Sequence, residues 1–265
     1  MMSRVMRRQR AAQAAGDVVL GRLRGWNIAV GNFFFRYRNA LFPVVFVLVV
    51  PFLRPTVILG SPTLDCLLTS IGAAVAVVGE LVRLATIGFE YIERGGKAGK
   101  VYASQLVQGG VYSLTRNPMY LGNALIAIGL TMVAGAPLIY GVVLPFFLFV
   151  YQAIVSAEET YLRTRFSEEY DQYCARVHRF LPSWRQLPRA LAGMRYDWKR
   201  AVRKELSTLT GLLIGLILLP VWRTSWLKGW AAAAAAAPGA IVAVIGVLML
   251  FGLSVYLKTR KQVFY

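Results

Sequence analysis

Six stretches of this 265-residue chain are apolar for long enough to cross a bilayer, and they restrict the fold more than any motif does. A hydrocarbon core about 30 Å thick takes about 20 residues of helix to span. The stretches run over roughly 40–59, 64–88, 117–135, 137–157, 208–222 and 229–257. Pro43, Pro51, Arg54 and Pro55 interrupt the first, and the fifth is short. Ala-rich residues 231–240 belong to the sixth, where alanine favours helix and small side chains permit close approach, with a kink expected at Pro238. The expected class is therefore all-α, a polytopic membrane helical bundle of about six transmembrane helices with a helical-hairpin core and cytoplasmic interfacial helices.

Charge orients the bundle. The chain is 57% hydrophobic yet carries a net charge of +18. Placing both termini inside leaves 26 of the 30 Lys and Arg on the cytoplasmic side. Such basic loops suit an anionic lipid surface, whereas no groove-reading or base-stacking pattern accompanies them, so nucleic acid is not an expected partner. Two cysteines, Cys66 and Cys174, and a single histidine, His178, support neither a disulfide framework nor a metal site. The expected organisation is a basic cytoplasmic arm over 1–38, lacking the short apolar core of a secretory signal; a first membrane helix and the start of a second over 39–78; a core over 79–182; a basic interfacial linker over 183–207; and a C-terminal helix pair over 208–265.

Helices three and four are joined by only a few residues around Gly135, Ala136 and Pro137, so they form an antiparallel hairpin. Its two ends, Asn117 and Glu158, then meet the same membrane face, together with the polar segments 89–116 and 158–207. Three clusters lie near that face. Glu80 and Arg83 of GELVR are three residues apart on a helix and can neutralise each other in hydrocarbon, either as a structural pair or as part of a site. In SQLVQGGVYSLTRNPMY, residues 104–120, Gly109 and Gly110 permit a tight turn, and Pro118 suits the first position of a helix whose free N–H groups favour anions. Tyr112 and Tyr120 suit stacking on a planar ring or an interfacial belt. In the third cluster, 158–182, Glu158 and Glu159 stand where helix four leaves the membrane. Adjacent carboxylates point apart, so one can hold a ligand cation while the other pairs with an arginine. His178 is the only side chain here with an ordinary pKa near neutrality, which makes it a candidate base against the simpler reading of an exposed residue.

These clusters, in this order, resemble the isoprenylcysteine carboxyl methyltransferase family, membrane enzymes related to the phospholipid N-methyltransferases. The matching positions are Gly79, Glu80 and Arg83; Gly110, Val111, Tyr112, Arg116, Pro118, Tyr120 and Gly122; and Glu158, Glu159, Leu162, Phe166, Glu169, Tyr170, Tyr173, Leu181 and Pro182. The resemblance implies S-adenosylmethionine as cofactor, lined by Ser104, Gln105, Leu106, Val107, Tyr112, Asn117, Pro118, Met119, Tyr120 and Glu158; beside it, Arg116 and His178 are the candidates for direct chemical roles on their side-chain chemistry. It also implies a lipophilic acceptor, isoprenoid or phospholipid-like, reaching the site laterally from the bilayer. Two positions depart from the pattern: Asn117 stands where the family carries histidine, and Ile154 where its prenylcysteine enzymes carry an arginine for the substrate carboxylate. A carboxylate acceptor would then need Arg116, Arg163 or Arg179, and an amine or thiol acceptor stays open beside it. Two rival readings share the sequence: a sterol-reductase-like membrane oxidoreductase, and a non-catalytic lipid-binding scaffold whose motif residues are interface anchors.

Overall fold

A computed structural model describes residues 25–37, 48–49, 52–90 and 102–259. The described residues form helices and connecting turns, with no strand among them. We number the helices α1 (residues 25–37), α2 (Pro62–Phe89), α3 (Pro118–Ala134), α4 (Ile139–Arg176), α5 (Leu187–Leu191), α6 (Trp198–Lys228) and α7 (Trp230–Thr259). Four of them, α2, α4, α6 and α7, are long and apolar enough to cross a membrane, and α3 is a shorter apolar helix of 17 residues. Most of the expected first span, 40–59, lies outside the described residues. Its described end has no regular secondary structure over 53–57 and leads through extended Val57 into a 3-10 turn at Ile58–Gly60. The arm's residues 25–37 are helical and cross α4 at Gly31, where a Cβ would stand 2.1 Å from the Ala153 carbonyl oxygen.

The core of the bundle is the antiparallel pair α2 and α3. Ser61 caps α2 by accepting from the Leu64 N–H at 3.4 Å, and Pro62 follows in the first turn, where its missing N–H costs nothing. The two helices approach closely because glycines face each other. A Cβ on Gly79 would lie 2.7 Å from the Gly122 carbonyl oxygen, and one on Gly129 would lie 2.4 Å from that of Gly72. Both pairs are seven residues apart along their helices, so the small surfaces recur on one face of each. Gly79 and Gly122, singled out as motif residues, are thus each other's packing partners. Gly135, in the left-handed conformation at φ 62°, ends α3 and turns the chain into the hairpin.

α4 departs twice from a plain rod. Its first turn, Ile139–Val143, is a wide π turn just before Pro145, whose ring would clash with the carbonyl four residues back in a regular helix. At Ser167 the backbone adopts φ 45° and ψ −116°, and the helix breaks. Eight residues of straight helix rise about 12 Å, yet Arg163 Nε donates to Asp171 Oδ1 at 2.7 Å. That contact exists only because residues 168–176 fold back. The cluster over 158–182 therefore begins as a direct continuation of the membrane helix and returns toward the site after Ser167.

α6 is 31 residues long and starts at Trp198, where Asp197 accepts from the Arg200 N–H at 2.9 Å. The expected short fifth span, 208–222, is only its apolar middle, and part of the basic 183–207 segment is helical. Two buried ion pairs set its register against α2. Near one end Arg83 Nε donates to Glu205 Oε2 at 2.9 Å, and near the other Arg223 pairs with Asp65 and donates to Thr69 Oγ1 at 2.9 Å. Asp65 to Arg83 and Glu205 to Arg223 are each 18 residues, about 27 Å of helix. The charges thus sit one hydrocarbon thickness apart on both antiparallel helices, with opposite polarity. α7 follows after Gly229 and packs chiefly on α6, leaving most of its apolar surface outward.

Candidate active site

At the end of the bundle where α2 stops and α3 begins, three chain segments converge. Pro118 opens α3, so Asn117 and Tyr120 are fixed by the helix start. Across the hairpin, Tyr120 Oη donates to Glu158 Oε1 at 2.6 Å. The neighbouring Glu159 points elsewhere, as adjacent helical residues must: it pairs with Arg116 at 3.2 Å and Arg179 at 3.1 Å, and accepts from Asn117 Nδ2 at 3.3 Å. The same Asn117 amide donates to the Arg179 carbonyl at 3.2 Å, and Arg179 reaches Ser156 Oγ at 2.9 Å. Backbone bonds complete the join. Arg116 N–H donates to the His178 carbonyl at 2.9 Å, and Ser183 N–H to the Leu114 carbonyl at 3.0 Å.

Glu159 with its two arginines is a self-contained electrostatic clasp. One carboxylate between two guanidinium groups, each 14–27% exposed at the side chain, fixes the 114–118 turn on α4. Arg116 additionally donates to the Cys174 carbonyl at 3.4 Å. Its geometry is that of a positioning residue. His178 enters the site through its backbone carbonyl, and its side chain is exposed.

The returning segment 168–176 carries the rest of the expected wall. Tyr173 Oη donates to the Tyr112 carbonyl at 2.7 Å. Leu106 packs on the cluster of Tyr170, Tyr173 and Val177, while Gln108 bonds both Glu169 at 2.8 Å and Arg176 at 3.2 Å. Val107 is half-buried, and Ser104 and Gln105 are exposed at the outer edge of this wall. Asn117, Pro118 and Met119 are buried. Gly110, at φ 53°, makes the turn that brings Val111 and Tyr112 inward, a backbone conformation that a Cβ would strain.

Residues 67–169 match the phospholipid methyltransferase family model. No curated protein and no solved structure matches the chain. The phospholipid methyltransferase match spans α2, α3 and most of α4, and so contains Gly79, Arg83, the 116–120 turn and Glu158. It is a family of membrane methyltransferases related to the one that the motifs resemble, and α6 and α7 lie beyond the matched segment.

Sequence reasoning had not paired several residues that the structure joins. Glu205, fully buried, reaches Arg83, which also contacts Asn123 and Thr208 and lies 3.6 Å from Glu80. GELVR is thus a three-helix junction holding α3 one turn beyond Tyr120. Tyr151 stacks edge-on against Tyr120 at 5.4 Å and against Phe147 at 4.5 Å, so an aromatic row leads along α4 to the Tyr120–Glu158 bond. Its signal was the spacing of Phe147, Tyr151 and Glu158 on one helix. Ile154 is fully buried beside Phe35 and Val150. The connection from α5 and the first turn of α6 close the end of α2: Arg200 donates to the Ile87 and Gly88 carbonyls at 2.9 and 3.0 Å, and Tyr196 Oη to the Leu84 carbonyl at 3.3 Å. Partial burial against this helix end raises the Tyr196 phenol above its ordinary pKa.

Proposed function

We propose that this chain is an integral membrane, S-adenosylmethionine-dependent methyltransferase whose acceptor is a lipid-borne amine. The carrying observation is the Tyr120–Glu158 hydrogen bond, which joins the two motif segments at the end of an aromatic row. A carboxylate beside aromatic rings complements a cation, and the proposed cofactor carries both an ammonium and a sulfonium. The buried Asn117–Tyr120 turn, with the first N–H groups of α3, suits the cofactor's carboxylate and polar edge. The cofactor supplies an electrophilic methyl group. Glu158, Tyr120 and Asn117 would hold it in register, and the surrounding apolar helices would exclude water, so positioning carries most of the rate.

The arginines argue for an amine. Each guanidinium that a carboxylate acceptor would need is already held by an acid: Arg116 and Arg179 by Glu159, and Arg163 by Asp171. At the position of the family's substrate-binding arginine, Ile154 contributes to an apolar cluster. An amine needs no such clamp. Its nitrogen lone pair would take the methyl group that the cofactor supplies, the bonding electron pair staying on the cofactor's sulfur, and the methylated nitrogen would give up one proton to bulk water as the product leaves. Consistent with the basic loops, the site end faces the cytoplasm in this reading, and the acceptor arrives along the bilayer.

The test is to incubate the protein in bilayers with methyl-labelled S-adenosylmethionine, extract the lipids and identify the labelled species by mass. Label on an amine headgroup is expected. Label released as methanol by mild base, the mark of a methyl ester, would refute the amine assignment, and label on no lipid would refute methyl transfer.

A further inference from the structure

A concave feature lies beside the 111–121 segment, away from the Tyr120–Glu158 bond. It is an apolar hollow of about 90 Å³, walled by Val82 and Ala85 of α2, Leu114, Pro118, and Leu187 and Leu191 of α5, with Trp184 at its edge. The surface it exposes is apolar, since Thr115, the one polar residue of the lining, turns its hydroxyl to the Arg179 carbonyl at 3.2 Å. An apolar cavity of about 150 Å³ takes a benzene-sized guest and stays dry without one, so this hollow takes a few methylenes of a chain. Val82 and Ala85 flank Arg83, one of the charges that mark the hydrocarbon edge. The hollow therefore sits where a lipid's acyl chain meets its headgroup.

The segment that covers it is strongly basic. Residues 183–204 carry seven Lys and Arg against one acid, Asp197. Leu187 and Leu191, one helical turn apart, line the hollow, which leaves Arg185 and Arg189 exposed, while Trp184 is 63% exposed and Leu181 77%. Apolar side chains and exposed guanidinium groups on the 3-10 turn Trp184–Gln186 and the α5 that follows it match a molecule with a hydrocarbon chain and a phosphate. We propose that this hollow is a binding site for one anionic phospholipid of the bilayer, its acyl chain against Ala85, Leu187 and Leu191 and its phosphate on Arg185 and Arg189.

The occupant is distinct from the methyl acceptor, because Pro118 faces the hollow while Asn117 and Tyr120 face Glu158 and Glu159. A seated chain would brace the turn from behind. The inference does not depend on methyl transfer.

Native mass spectrometry of the full chain, delipidated in detergent and titrated with phosphatidylglycerol or phosphatidylcholine, tests it. One retained phosphatidylglycerol is expected, with a preference over phosphatidylcholine of roughly 30-fold from two arginines at about fivefold each. Arg185→Gln with Arg189→Gln should erase the preference, and Leu191→Phe, which fills the hollow, should erase retention of both lipids. Equal retention of the two lipids, or retention unchanged by the paired arginine substitutions, would overturn the proposal. If Leu191→Phe fails to fold, Ala85→Phe supplies the filling test from the α2 wall, and the arginine pair stands independently of either.

Discussion

Glu205→Ala is expected to cost about 3 kcal/mol of stability, a loss set by what remains around Arg83. In the native fold Arg83 is 4% exposed and Glu205 fully buried, and the guanidinium donates to Glu205, Asn123 and Thr208. Removing one partner of a buried pair costs about 3–5 kcal/mol, because the surviving charge stays desolvated. Glu80 remains 3.6 Å away and Asn123 still accepts, which places the loss at the lower end of that range. Equilibrium unfolding in mixed micelles, titrated with a denaturing detergent, measures it. The double substitution Arg83→Met with Glu205→Leu removes both charges and should recover most of the loss, since well-packed apolar replacements of a buried pair are near neutral. A Glu205→Ala protein within about 1 kcal/mol of the parent, or a double variant no better than the single, would refute the claim that this pair clamps α6 to the site helices.

Three further outcomes follow from the same geometry. Gly122→Ala places a Cβ 2.5 Å from Arg83 Cγ and 2.7 Å from the Gly79 carbonyl oxygen, so α2 and α3 must separate, at a cost of about 1–3 kcal/mol; Gly246→Ala in α7, with open space around it, should be neutral or gain up to about 1 kcal/mol in the same unfolding assay. Ser167→Gly relieves a positive φ at the break in α4 and should stabilise by about 1 kcal/mol, whereas Ser167→Val should destabilise. Tyr173→Phe leaves the Tyr112 carbonyl without its 2.7 Å donor and should cost about 1–3 kcal/mol, with faster hydrogen exchange in 110–114 as the local readout.

Part of the candidate site's geometry was legible because its residues lie at helix ends. Pro118 announced where α3 starts, the short Gly135–Pro137 connection brought Asn117 and Glu158 to one face, and adjacency alone predicted that Glu158 and Glu159 would take different partners, as they do with Tyr120 and the two arginines. What was not legible depends on partners distant in sequence. The start of α6 at Trp198 was hidden because Lys199, Arg203, Lys204 and Glu205 read as an interfacial linker, and Arg83, 122 residues away, makes Glu205 compatible with a membrane helix. The equal 18-residue spacings of Asp65 to Arg83 and Glu205 to Arg223 were the available signal. The break at Ser167 has no local signature, since serine is ordinary in a helix and the bend is held by the Arg163–Asp171 and Tyr173–Tyr112 contacts.

The central claim is that Glu158 and Tyr120 hold S-adenosylmethionine. Isothermal titration of the cofactor into folded, detergent-solubilised protein tests it most directly. The parent should bind, and Glu158→Gln and Tyr120→Ala should each weaken binding by roughly 10-fold to 100-fold, the worth of a charge-assisted hydrogen bond. Absence of binding by the folded parent, or binding unaltered by both substitutions, would contradict the account.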